Sequence, residues 1–216
     1  MKNASPNILA SNGKPALSCV LQKRKPIMFL TDYIKIYESA MPPDFCDEII
    51  KRFDDSKQTM EVMVQQNANE ELQRSCVELN LSKQESMADL QPPLLRIAEL
   101  ALGKYRKDIT GHMFPEQVGA AQFRINKYRA KQEKPDRHMF HASVTNYASA
   151  RRFLSLFWFL NDVEQGGEIF FPHFNIRIQP KKSRLVVFPS LWMYPFSEEE
   201  PLSGDRYTLN TFMHYV

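Results

Sequence analysis

The sequence predicts an α+β fold in which helices come first and a unit built from strands follows. Apolar residues recur at helical spacing in two stretches before residue 119, and after Gly119 the pattern changes to alternation. The length of 216 residues and the hydrophobic fraction of 43% suit one globular domain with a sizeable core. Because helices and strands are segregated along the chain, we expect the strands to form a closed or sandwiched β unit.

The first half of the chain is predicted to hold two helices. The alternating stretch 33–37 indicates a strand, and a helix then begins at Pro42-Pro43-Asp44, with apolar residues at helical spacing through Phe53. Residues 56–80 are interpreted as strand pieces and loop. A second helix begins at Pro92-Pro93 and is expected to bury a wide face. The residues of that face are Leu94, Leu95, Ile97, Ala98, Leu100, Ala101 and Leu102.

The second half is predicted to consist of strands separated by turn-rich pieces. The predicted strands are 122–128, 138–147, 153–161, 168–171, 174–179, 184–188 and 206–215. Its many aromatic residues, Trp192 among them, are expected to fill a β core. The acidic run 198–200 is expected to be a solvated loop, although its charge would discourage an anionic ligand nearby.

Residues 1–26 are predicted to form a flexible N-terminal arm, because they are polar and basic and lack periodicity. Residues 27–216 are predicted to form a single domain, with a helical and mixed part at 27–119 and a β core at 120–216. The formal net charge of +3 is mild, and the arm has no interleaved aromatic residues. Nucleic-acid binding is therefore not favoured.

The three cysteines are far apart and form no Cys-x-x-Cys pair, which favours a reducing compartment and predicts a cytoplasmic location. No apolar stretch typical of a signal peptide occurs near the N-terminus. The longest apolar run, Phe153 to Leu160, fits a buried strand and is too short to span a membrane. No pattern specifies an oligomeric state.

Four features of the second half occur at informative intervals. His141-Ala142-Ser143 is followed by Leu160-Asn161-Asp162-Val163 with Gly166-Gly167, then by Phe196, and Arg206 follows ten residues after Phe196. Together they resemble the catalytic core of the 2-oxoglutarate/Fe(II)-dependent oxygenases of the prolyl-4-hydroxylase-like kind, strongly over residues 122–215 and weakly over 33–55. The resemblance implies a double-stranded β-helix (a jelly-roll, cupin-like core) flanked by N-terminal helices.

The resemblance also implies an iron site built from two imidazoles and one carboxylate. The family supplies His-x-Asp from one strand, where alternate residues share a face, and a distal His from another. Here His141 keeps the first ligand position, but Ser143 stands at the Asp position and Phe196 at the distal His position. The site therefore does not favour Fe(II). A surface or loop role is favoured for His138 and His173, and the alternative is that they are substitute ligands.

Arg206 matches the family's basic residue for the distal carboxylate of 2-oxoglutarate, and Tyr128 resembles the tyrosine that lines the same pocket. A guanidinium can bind a carboxylate through two parallel hydrogen bonds. We therefore expect 2-oxoglutarate binding to be retained, but to be weak.

Three hypotheses follow. The first is an oxygenase-fold protein that has lost ordinary iron-dependent hydroxylation and acts by binding a small dicarboxylate or a peptide. The second is an active 2-oxoglutarate-dependent oxidoreductase with a rearranged metal site that acts on a prolyl or other amino-acid side chain of a protein. The third is a structural or assembly protein. None of the three requires a membrane.

Overall fold

The computed structural model describes residues 28–57, 59–64, 73–109, 114–131 and 150–216. This part of the chain contains two α-helices, α1 (Pro43–Asp55) and α2 (Gln91–Asp108), and eleven strands. The strands are β1 (Lys35–Tyr37), β2 (Met60–Val64), β3 (Gln73–Asn80), β4 (Val118–Ala120), β5 (Arg124–Tyr128), β6 (Arg152–Phe159), β7 (Ile169–Phe171), β8 (Ile176–Ile178), β9 (Leu185–Pro189), β10 (Ser197–Glu198) and β11 (Arg206–Tyr215).

Helix α1 begins within the predicted start Pro42-Pro43-Asp44, and α2 begins one residue before the predicted start at Pro92-Pro93. Each helix has a proline in its first turn. The wide buried face predicted for α2 is wrong, because Leu95 and Leu100 are 43% and 60% exposed. The buried residues of α2 are Leu94, Ala98, Ala101 and Tyr105. A helix that packs on one layer buries a single stripe, so apolar residues beside that stripe stay in solvent.

The larger sheet has eight antiparallel strands in the order β1-β9-β6-β11-β5-β3-β2, and β4 also pairs with β11. Its central strand, β11, coincides with the predicted strand 206–215. A smaller sheet has the order β10-β7-β8. The sequence patterns missed β4 and β10, which have three and two residues.

Two apolar cores lie on opposite faces of the larger sheet. One contains residues of both helices together with Leu156 and Trp158 of β6. The other contains Phe157 and Phe159 of the same strand together with residues of the smaller sheet. Because successive residues of a strand point to opposite faces, the helices cover one face of the larger sheet and the smaller sheet covers the other. We call the second face the inner face.

The structure also contradicts the prediction that Trp192 fills the β core, because its side chain is 72% exposed. The stretch 33–37 begins within a 3₁₀ helix, Leu30–Tyr33, and is a strand only at β1. The predicted arm 1–26 and strand 138–147 lie outside the described residues, and so do His138, His141 and Ser143. None of the described helices is long and apolar enough to cross a membrane.

Candidate functional site

Arg206 lies at the first position of β11, and its side chain is entirely buried on the inner face. The register of β11 with β5 places Arg206 directly opposite Tyr128. The guanidinium carbon lies 4.0 Å from the centre of the Tyr128 ring, which is the geometry of a cation–π contact. The two residues that the resemblance assigns to the co-substrate pocket are therefore neighbours.

The charge of Arg206 is balanced within the chain. Its Nη2 donates to the carboxylate of Glu198, and its Nη1 donates to the carbonyl oxygen of Gly167 at 2.6 Å. The side chain of Glu198 is 7% exposed, so the pair is shielded from solvent. A buried guanidinium requires such a partner, since an uncompensated buried charge is very costly.

The expectation that residues 198–200 form a solvated loop is therefore wrong at Glu198. This residue belongs to β10 and is paired with Ile169 of β7. Membership of the smaller sheet fixes the side chain beside Arg206. The neighbouring Glu199 is more exposed and forms an ion pair with Arg177 at 3.4 Å.

The Gly166-Gly167 turn shapes the wall that faces Arg206. Both glycines have positive φ angles, 74° and 75°. A Cβ on Gly166 would lie 2.2 Å from the carbonyl oxygen of Glu200, so the backbones approach too closely for any side chain. The turn thereby presents the Gly167 carbonyl to the guanidinium, and the predicted tight turn with close backbone approach is present.

Cys76 of β3 joins this group, although no spacing in the sequence signals it. Burial, and then the negative charge of Glu198, raise the pKa of the Cys76 thiol to about 12. The same two causes raise the pKa of the Tyr128 hydroxyl well above its usual range. Both groups are therefore neutral at physiological pH, and the ion pair of Arg206 with Glu198 supplies the charges of this buried cluster.

Phe196, which stands at the position expected for the distal His, is fully buried in the core between the two sheets. Its ring centre lies 5.1 Å from that of Phe188 and 6.1 Å from that of Phe171. An aromatic hydrocarbon has no lone pair for a metal, so Phe196 does not fit the role of an iron ligand.

The described residues offer no substitute iron site. Within them no group of three or more His, Cys, Asp or Glu side chains could hold a metal ion. His173 lies exposed in a 3₁₀ helix, Pro172–Phe174.

A dicarboxylate would have to compete with Glu198 for Arg206 in this arrangement. Each terminal nitrogen of the guanidinium already donates one hydrogen bond, and a second carboxylate would lie close to that of Glu198, where like charges repel. Nε of Arg206 is buried and makes no hydrogen bond. Binding of a dicarboxylate would therefore require Glu198 to move away.

No family model matches the chain, and no curated protein matches it significantly. Solved structures do match. A viral collagen prolyl hydroxylase from Paramecium Bursaria Chlorella virus-1, solved as a 2OG complex, has a TM-score of 0.62 at 14% identity, over 85% of this chain and 97% of that chain. A prolyl hydroxylase from Trichoplax adhaerens, solved with a hypoxia inducible factor oxygen degradation domain peptide fragment, has a TM-score of 0.63 at 14% identity, over 85% and 84%.

A Pseudomonas putida prolyl-4-hydroxylase has a TM-score of 0.57 at 18% identity, over 85% of this chain and 93% of that chain. The chain thus has the fold of the prolyl hydroxylases within the 2-oxoglutarate/Fe(II) oxygenases, and the predicted α+β fold with a jelly-roll core is confirmed. At these identities the likeness concerns the fold alone.

Proposed function

We propose that this protein uses the oxygenase fold to bind a peptide and has lost ordinary iron-dependent hydroxylation. The observation that carries the proposal is the buried pair of Arg206 and Glu198. In the proposed role, the Glu198 carboxylate takes the place that the distal carboxylate of 2-oxoglutarate has in the family.

The ion pair favours a peptide over a small dicarboxylate as the ligand. The main attraction available to a dicarboxylate is a charged hydrogen bond to Arg206, and Glu198 already supplies one. Recognition of a peptide, unlike that of 2-oxoglutarate, does not depend on a salt bridge to Arg206. One solved structure with this fold contains a peptide fragment, which is consistent with the proposal.

The aromatic packing of Phe196 supports the same proposal. Replacing this ring by an imidazole would leave space between Phe171 and Phe188, so the core is complete without a metal ligand at this position. No step of the proposed function involves iron.

Calorimetric titration with 2-oxoglutarate tests the assignment of Glu198. We expect the unmodified protein to bind with a Kd of about 1 mM or weaker. The Glu198→Gln variant removes the competing charge but keeps an amide that can still contact Arg206, so its affinity should rise by about tenfold or more.

Glu199→Gln is the matched control, because it removes the neighbouring acid but leaves the Arg206 ion pair intact. Adding Arg206→Ala to Glu198→Gln should abolish the gained affinity. Tight binding by the unmodified protein, or equal affinities in the two glutamine variants, would contradict the proposal.

A further inference from the structure

We propose that an exposed apolar patch near the start of the domain docks onto an anionic lipid surface. The patch consists of Phe29, Leu30, Leu191 and Trp192, whose exposed fractions are 67%, 48%, 37% and 72%. The chain has two tryptophans, and the other one, Trp158, is entirely buried. This interaction surface goes beyond the proposed peptide binding and does not depend on it.

The patch is formed by two segments that touch each other. One pair of patch residues lies at the start of the 3₁₀ helix Leu30–Tyr33, and the other pair lies between β9 and β10. The hydroxyl of Tyr194 donates to the carbonyl oxygen of Leu30 at 3.0 Å, which joins the two segments. Single exposed apolar residues are common on protein surfaces, whereas a group of large ones marks an interaction site.

Hydrogen bonds hold both segments in place. Tyr194 is buried in the second core, and its backbone N–H donates to the carbonyl oxygen of Leu191 at 2.9 Å, which closes the turn that carries Trp192. On the other segment, the Asp32 carboxylate accepts a hydrogen bond from the backbone N–H of Phe29 at 2.7 Å. Because these bonds fix the backbone of the patch before docking, less conformational freedom is lost on binding.

A basic segment precedes the patch in the sequence. Lys23-Arg24-Lys25 ends four residues before Phe29, and residues 1–31 contain five basic residues and no acidic ones. Four residues span at most about 14 Å, so the last of these charges lies within that distance of Phe29 whatever the conformation of the chain. Asp32 contributes one negative charge beside them. A cluster of basic residues next to exposed apolar ones is attracted to anionic lipid headgroups.

The composition of the patch favours a lipid surface over a nucleic acid. Tryptophan, phenylalanine and leucine are the side chains that proteins bury at the membrane–water interface. Leu30 and Leu191 would gain from leaving water in that interface, but an aliphatic side chain offers no ring on which a base can stack. The segment from Pro189 to Ser197 contains no charged residue, so the turn that carries Trp192 can enter the interface without burying a charge. Docking of this kind needs no membrane-spanning helix.

Tryptophan fluorescence with vesicles tests the proposal, since Trp192 is exposed and Trp158 is buried. Vesicles of phosphatidylcholine and phosphatidylserine in equal amounts should shift the emission to shorter wavelength, because Trp192 leaves water. Vesicles of phosphatidylcholine alone should bind at least about tenfold more weakly, and added salt should weaken binding to the mixed vesicles. In Trp192→Phe the shift should be absent, although the protein should still sediment with the mixed vesicles.

Sedimentation with the mixed vesicles measures what each part contributes. Trp192→Ser should weaken binding by about tenfold, because it removes a large apolar side chain from the patch. Phe29→Ser is an independent second variant, in case Trp192→Ser does not fold. Changing the segment Lys23-Arg24-Lys25 to three glutamines should weaken binding by about a hundredfold. Leu100→Ser is the matched control, because Leu100 is an exposed apolar residue of α2 and lies outside the patch.

Three results would overturn the proposal: no binding to the mixed vesicles, no effect of either serine variant in the patch, or an equal loss in Leu100→Ser. If only the three-glutamine variant loses binding, the contact is purely electrostatic and the patch is not involved. Sedimentation equilibrium covers the other occupant. Self-association that Trp192→Ser abolishes, without vesicle binding, would make the patch an interface between copies of this chain and would also overturn the proposal. The 2-oxoglutarate titration tests Glu198 and is independent of these results.

Discussion

At the residue scale, the ion pair with Glu198 determines how much of the Arg206 guanidinium is available to a ligand. The interval from Phe196 identifies Arg206 in the sequence, and the segment Asn126-Lys127-Tyr128-Arg129 identifies Tyr128. Glu198 could not be assigned in the same way, because an acidic run looks like a solvated loop until the pairing of β10 with β7 is known. Cys76 approaches the pocket through strand pairing between distant segments, which no local pattern reveals.

Cys76 makes the stability of the fold sensitive to alkaline pH. Its pKa is 9.0 without the protein environment and about 12 in the folded state, so folding favours the neutral thiol. This contribution is fully present below about pH 9 and is lost as pH rises toward about 12, by up to about 1.4 kcal/mol per pH unit. We expect the free energy of unfolding, measured by urea denaturation, to fall between about pH 9 and 11 in both proteins. The fall should be smaller for Cys76→Ala than for the unmodified protein.

The comparison uses the slope with pH and not the absolute stability, because Cys76→Ala also changes packing. Tyr128 should contribute a similar decline in both proteins, since its pKa is raised as well. If the free energy of unfolding changes with pH in the same way for both proteins, Cys76 does not titrate as described.

At the scale of elements, sequence patterns located both helices and most strands but missed β4 and β10. Helices α1 and α2 and strand β11 follow from periodicity, because each presents one apolar face over many residues. Strands β4 and β10 depend on partners elsewhere in the chain, so tertiary pairing alone defines them. The exposure of Leu95 and Leu100 likewise depends on which layer covers α2.

The Gly166-Gly167 turn gives a test at this scale. Gly166→Ala should destabilise the protein by at least about 2 kcal/mol, because its Cβ would clash with the Glu200 carbonyl at a φ angle that alanine rarely adopts. Gly103→Ala is the matched control. A Cβ on Gly103, within α2, meets no atom within 4 Å and should stabilise the helix by about 0.5–1 kcal/mol. Denaturation midpoints that shift equally for both variants would contradict this account of the turn.

At the scale of the whole molecule, the resemblance predicts the fold but does not predict the side-chain contacts of the site. The jelly-roll arrangement of two facing sheets was predictable from the resemblance, and structures of prolyl hydroxylases share it at 14–18% identity. The side-chain contacts on the inner face could not be predicted in this way, because they depend on which side chains meet across the two sheets. In this chain an aromatic cluster and an internal ion pair lie along that face.

The scaffold itself should tolerate an iron site. Ser143→Asp combined with Phe196→His restores the ligand set that the resemblance expects, with Ser143 placed by sequence alone because it lies outside the described residues. The double variant should retain Fe(II) in anaerobic dialysis, and each single variant should retain less. Removing the buried ring could cost about 3 kcal/mol, so unfolding must be measured alongside. If the double variant folds but does not bind iron, positions 143 and 196 do not lie at one metal site.

The central proposal is that the unmodified protein does not carry out iron- and 2-oxoglutarate-dependent oxidation. The most direct measurement is an incubation with Fe(II), 2-oxoglutarate and ascorbate, in which bound iron and succinate are both quantified. The account predicts no stoichiometric iron and no succinate above the level without protein, because Phe196 provides no ligand and Glu198 occupies Arg206. One tightly bound iron per chain together with succinate formation would contradict it.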